Sequence, residues 1–158
     1  MKGTDPMTRK LDFMAAAPAA MQRWLATSME LHAGIEPRLA ALVQMRSSQI
    51  NGCAYCLNMH AKEARKAGET QQRLDVLAGW RDAPLFSDRE RAALAWTEAL
   101  TQLSGGHGGL DAAHAGLAEH FSPEEQVKLT LLVNVINGWN RLCVGFEAWA
   151  DEPARRAA

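Results

Sequence analysis

Two cysteines and a histidine between Ser48 and Gly68 have the side-chain types and the spacing for redox chemistry. Asn51-Gly52 is a turn-forming pair that ends one helix. After it, CAYCLNMHAKEARKA holds neither Gly nor Pro and is rich in helix formers, so it predicts a helix from about Cys53 to Ala67 that Gly68 ends. At about 100° per residue, Cys53, Cys56 and His60 share one helical face. Both cysteines fall in the first turn, where free N–H groups and the positive dipole end favour a thiolate over a thiol. A Cys-x-x-Cys pair can close into a disulfide with little backbone movement, and His60 can accept a proton from Cys56 directly or through one water. The combination suits two-electron thiol chemistry.

Rival readings of the same residues differ in what else they require. As plain core residues, the cysteines would be two small buried hydrophobes. A zinc site would draw three ligands from Cys53, Cys56 and His60 and a fourth from His32, His107, His114 or His120, but no second Cys/His pair has ligand spacing. Covalent haem is excluded, because Leu57 stands where that attachment motif needs His. Cys143 lies in an apolar helix without a partner at useful spacing and reads as core. His107, in a glycine-rich loop, reads as a solvated histidine.

The elements that must position this face are helical throughout. Met21, Trp24, Leu25, Met29 and Leu31 recur near helical spacing from Ala19 to about His32, and Gly34 stops the run. Pro37 opens a second helix whose apolar stripe delivers the chain to Asn51-Gly52. Thr70 caps a short helix through Leu77, and 79–86 is a connection. Ser87 with Glu90 forms a capping box that opens a helix to about Leu103. SGGHGG at 104–109 is the most flexible composition in the chain. Leu110 to His120 is another helix, and Ser122-Pro123-Glu124-Glu125 starts the last, which is apolar on nearly every side from Val127 to Ile136. Ile50-Asn51-Gly52 recurs as Ile136-Asn137-Gly138, a faint internal repeat that would give a second helical hairpin without the dithiol. No segment alternates as a strand would, so the fold class is all-α, with about six to eight helices.

The motif and its surroundings resemble the AhpD-like alkylhydroperoxidases of the carboxymuconolactone decarboxylase superfamily. The likeness rests on Cys53-x-x-Cys56-x-x-x-His60 together with RSSQING at 46–52, AGET at 67–70, DRERAALAWTEALT at 88–101 and INGWNR at 136–141. It implies a helical fold assembling into trimers or hexamers, and an enzyme that reduces alkyl hydroperoxides in antioxidant defence. By the same resemblance Cys56 attacks the peroxide oxygen, Cys53 resolves the sulfenic acid to a disulfide, and an external dithiol, lipoyl-linked in the best-known members, reduces the pair. Family members place a glutamate twelve residues before the first cysteine to relay a proton through the histidine, and this chain has Ala41 there. Either His60 works through water alone or another carboxylate serves. Glu98, on a helix among apolar neighbours, is the candidate, with a structural hydrogen bond or subunit contact as its other reading. Glu36 reads as part of a solvated helix entrance.

Composition sets the remaining bounds. The 158 residues, 47% of them hydrophobic, fit one domain over 11–152, between tails at 1–10 and 153–158. A formal charge of −1 without a Lys/Arg block gives no sign of nucleic acid or an anionic membrane as partner. The apolar run 13–21 contains Pro18 and reads as a helix preface, not a signal peptide. Three cysteines do not describe a secreted disulfide framework, so a reducing cytoplasm is the expected location. No phosphate-cradling loop calls for an organic cofactor. The expected function is a thiol peroxidase acting through Cys53, Cys56 and His60, without metal. The alternatives are a dithiol-disulfide oxidoreductase or redox sensor, a non-redox decarboxylase-like enzyme, and a zinc-stabilised interaction module.

Overall fold

A computed structural model describes residues 10–149. The tail at 153–158, residues 1–9 of the other tail and the domain's last residues, 150–152, lie outside that range. Lys10 is bound to the body of the protein, its N–H donating to Phe146 O and its Nζ lying 3.0 Å from Glu147 Oε1.

The chain forms α1 (Phe13–Ala16), α2 (Pro18–Ala33), α3 (Pro37–Asn51), α4 (Ala54–Lys66), α5 (Gln71–Asp75), α6 (Asp88–Thr101), α7 (Leu110–His120) and α8 (Pro123–Gly145). Short 3₁₀ turns cover Leu77–Gly79 and Leu103–Gly105. The all-α expectation holds for the described residues. Helix starts follow local chemistry. Prolines open α2, α3 and α8, and capping boxes at Ser87/Glu90 and Ser122/Glu125 satisfy the first N–H groups of α6 and α8. The helix expected from Thr70 to Leu77 is shorter, because after Asp75 the chain tightens into the 3₁₀ turn.

Helix α3 is buried along most of its length and packs against α4, α6 and α8. Three apolar clusters surround it. One joins Leu39 and Val43 to Leu117, Leu129 and Leu132. A second joins Ala41, Leu42 and Met45 to Ala64, Leu77, Trp80 and Leu94. The third holds Cys53, Cys56 and Cys143 with Phe13, Met21 and Ile136, under α1 and α2. At about 1.5–3 kcal/mol for each fully buried Leu or Ile, these clusters fix where the ends of α3 and α8 meet.

The repeated Ile-Asn-Gly has two different outcomes. Gly52 adopts φ +66°, the left-handed conformation that ends α3, with the N–H groups of Gly52 and Cys53 returning to Gln49 O and Ser48 O. Gly138 does not end its helix, and α8 runs through it to Gly145. The second hairpin is therefore absent. Its glycine serves packing instead, because a Cβ there would lie 2.6 Å from Trp24 Cζ2. Trp24 in turn packs on Trp139, with ring centroids 6.1 Å apart.

Candidate functional site

Gly52 reverses the chain so that Cys53 becomes the N-cap of α4, its Sγ accepting the N–H of Cys56 at 3.3 Å. Cys53 and Cys56 are joined as a disulfide, with Cα atoms 5.4 Å apart, inside the range that such a bond requires. Both are buried. One turn further along α4, His60 is buried as well, with Nδ1 2.8 Å from Glu63 Oε2. An ionised carboxylate can only accept, so this contact puts the ring proton on Nδ1 and leaves the Nε2 lone pair free. The hydrogen bond from His60 holds Glu63 below its ordinary carboxylate value, against the opposing effect of burial.

A polar clasp sets this turn against α8. Asn51 Nδ2 donates to Asn137 Oδ1 at 2.9 Å and to Asn140 Oδ1 at 2.8 Å, and Asn140 Nδ2 donates to Ser48 Oγ at 3.0 Å. Asn137 Nδ2 reaches Val133 O and Thr101 Oγ1. Asn137 and Asn140 are buried, and buried amides that are hydrogen-bonded across two helices specify one register between them. One turn beyond Asn140, the same helix presents Cys143 to the disulfide. The Sγ atoms of Cys53, Cys56 and Cys143 all lie within 4.8 Å of one another. Cys143 is core, as its sequence context suggests, yet it has a partner that sequence spacing concealed. Burial pushes its thiol up to about 11.

A cavity of about 470 Å³ adjoins the site between α2, α4 and α8. Its walls are largely apolar, with Phe13, Leu25, Met29, Met59, Val135 and Trp139. Ser28, His32, Gln44, Tyr55, His60, Glu63 and Cys143 supply the polar groups, whereas Cys53 and Cys56 do not line it. Gln44 is buried and its Oε1 has no partner, an acceptor held ready in an apolar chamber. Burial, together with nearby Cys143 and Glu63, raises the Tyr55 phenol.

Glu98 is placed elsewhere. Its carboxylate accepts from Arg46 Nε at 2.7 Å, from Trp80 Nε1 at 2.8 Å and from Arg81 Nη1, and it does not line the cavity. Burial pushes its carboxyl up, but the hydrogen bonds from Trp80, Arg81 and Arg46 outweigh that and leave it lowered. Its apolar sequence neighbours pointed to an available carboxylate, whereas the arginines and tryptophan that occupy it come from α3 and the 79–86 connection. The carboxylate on His60 is Glu63, missed in the sequence although the i, i+3 spacing was there to read. Ala41, where the resemblance calls for glutamate, is buried in the second apolar cluster. Among the described residues the group with metal-ligand geometry is Cys53, Cys56 and Cys143, not the Cys53, Cys56 and His60 set weighed for zinc, and two of its sulfurs are joined in the disulfide.

The helical arrangement recurs in known proteins. YdfG of Bacillus subtilis, itself uncharacterised, is 34% identical over 141 residues, covering 87% of this chain and 94% of YdfG. The crystal structure of ATU0492 from Agrobacterium tumefaciens, a protein of unknown function suggested to be the antioxidant defence protein AhpD, superposes with a TM-score of 0.86 at 38% identity, covering 92% of this chain and 99% of that one. The debrominase Bmp8, at 20% identity and a TM-score of 0.78 over 87% of this chain and 74% of its own, shares the fold alone. The model of the carboxymuconolactone decarboxylase family matches residues 16–99, from the end of α1 through α4 and into α6. With that match and these relatives, the chain belongs to the carboxymuconolactone decarboxylase family, on its AhpD-like side.

Proposed function

We propose that this protein is a thiol peroxidase that reduces bulky apolar hydroperoxides through a Cys53–Cys56 dithiol/disulfide cycle. The observation that carries the reading is a buried Cys-x-x-Cys at a helix start, one turn from a histidine locked by Glu63, beside an apolar cavity of about 470 Å³. In the reduced protein the helix start favours the Cys56 thiolate, and His60 Nε2 takes the thiol proton. The thiolate attacks the terminal peroxide oxygen, the O–O bond breaks, and the alkoxide takes the proton to leave as an alcohol. Cys53 then displaces water from the Cys56 sulfenic acid. An external dithiol reduces the resulting disulfide by exchange.

The apolar walls favour an organic peroxide over hydrogen peroxide, and Gln44 Oε1 can accept the hydroperoxide O–H. Glu63 orients His60, the proton relay that the resemblance assigns to a glutamate at position 41 is missing because Ala41 stands there, and Glu98 belongs to the scaffold. The reading carries with it a homotrimer or homohexamer, to be checked by light scattering, and action in the cytoplasm. No helix among the described residues is long and apolar enough to cross a membrane.

The test is peroxide consumption by fully reduced protein, with cumene hydroperoxide and hydrogen peroxide compared. Faster consumption of the organic peroxide, abolished in Cys56→Ser, is the expected result. No consumption by wild type while Cys53–Cys56 still cycles with a dithiol would replace the peroxidase with a dithiol-disulfide oxidoreductase.

A further inference from the structure

Three cysteine sulfurs meet in one buried cluster, and a Cys-x-x-Cys cycle uses only two. Cys143 Sγ lies within 4.8 Å of both Cys53 and Cys56, and Cys143, not either motif cysteine, fronts the cavity. Its position is set by the clasp of Asn51 with Asn137 and Asn140, so the juxtaposition belongs to the register of α3 on α8. A bond between them requires closing from that separation to about 2 Å by rotation about the side-chain torsions. A thiol held for packing alone would need only apolar neighbours, yet this one faces a redox pair on one side and a polar-tipped cavity on the other.

We propose that Cys143 is a second resolving thiol, which captures oxidised Cys56 whenever Cys53 is not available to do so. The inference rests on the proposed redox role of Cys56. With a sulfenic acid the step is condensation, in which the Cys143 sulfur bonds to the Cys56 sulfur, the hydroxyl leaves, and the thiol proton completes a water molecule. With a mixed disulfide the step is exchange, in which the Cys143 thiolate bonds to Cys56 and the external thiolate leaves. Either route ends in a Cys56–Cys143 disulfide. Burial of Cys143 disfavours its thiolate, which makes it a slow nucleophile. The consequence is protection, because Cys56 oxidised beside a blocked Cys53 still reaches a reducible disulfide before a second peroxide can carry it to the sulfinic acid.

The experiment uses the reduced full-length Cys53→Ser protein and one equivalent of 5,5′-dithiobis(2-nitrobenzoate), followed by acid quench and peptide mass mapping. The expected product is a Cys56–Cys143 cross-link with release of the second thionitrobenzoate, while Cys53→Ser/Cys143→Ala keeps the mixed disulfide on Cys56. One equivalent of cumene hydroperoxide should give the same cross-link in Cys53→Ser and a dimedone-trappable sulfenic acid in the double variant. Persistence of the mixed disulfide in Cys53→Ser, with Cys143 alkylated only after unfolding, would overturn the proposal. A cross-link formed with the aromatic disulfide, in a protein whose wild type consumes no peroxide, supports the role of Cys143 and removes the peroxidase reading instead.

Discussion

Replacing Glu63 with glutamine tests how the site makes its base. Glu63 Oε2 lies 2.8 Å from His60 Nδ1, and its negative charge both fixes the tautomer and faces the imidazolium that forms when His60 takes a proton. Glutamine keeps the size, removes the charge and can offer N–H where only an acceptor is wanted. A hydrogen bond to a charged group is worth about 1.5–3 kcal/mol. The Glu63 side chain is 52% exposed, so solvent screening brings its contribution to the low end of that range or below it, about 1 kcal/mol. At about 1.4 kcal/mol per decade, Cys56 in the variant should react roughly fivefold more slowly. The pH dependence has a definite sign. The His60 hydrogen bond lowers Glu63 below its ordinary value of 4.5, so the contribution is whole above that value and disappears as pH falls through the lowered one. Alkylation of Cys56 by iodoacetamide, followed by peptide mass near neutral pH, reads this without any peroxide. Equal rates in wild type and Glu63→Gln would refute the orienting role. So would an equal change of rate at Cys143, which would mean that access to the whole pocket had changed and not the His60–Cys56 couple.

Three further substitutions separate scaffold from chemistry. Glu98→Gln should cost about 2–3 kcal/mol in denaturant unfolding, because it leaves Arg46 without its buried counter-charge, while the folded variant keeps its peroxide consumption; a stable but inactive variant would return Glu98 to the catalytic set. Gly138→Ala should lower stability by about 1–3 kcal/mol through overpacking against Trp24, offset by up to about 1 kcal/mol of helix propensity. The loss should shrink in a Trp24→Phe background, where the ring is smaller and the Nε1 that has no partner is gone. Ala41→Glu puts a carboxylate into the second apolar cluster, so it should cost about 1–3 kcal/mol in unfolding while raising peroxide consumption; unchanged turnover would mean that Glu63 alone suffices.

The helices were legible because their signals are local. Pro37, Pro123, Ser87 with Glu90, and Ser122 with Glu125 mark starts whose physics is complete within one turn. Gly138 departs from the expected turn for the complementary reason. Its tripeptide matches the one that turns at Gly52, but whether a glycine bends the chain or admits a neighbour depends on what lies across from it, and Trp24 is 114 residues away in sequence. Local sequence shows that a glycine is present without showing which of its two uses the fold requires.

The same division runs through the site. Cys53, Cys56 and His60 were readable because one helix brings them together, and Glu63 was equally readable on that helix, three residues beyond His60. The apolar sequence neighbours of Glu98 suggest an unsatisfied group, but Arg46, Trp80 and Arg81 satisfy it from separate elements. Cys143 is the converse case, a residue with no partner along the chain that gains two across it through the register of α8 on α3. What fixes that register is a set of amides, with Asn51 donating to both Asn137 and Asn140 and Asn140 donating back to Ser48. Asn51 is thus both the last residue of α3, next to the turn that makes Cys53 an N-cap, and the anchor that brings a third thiol within 4.8 Å. That clasp, which no spacing rule within α4 contains, is what sets a third sulfur beside Cys53 and Cys56.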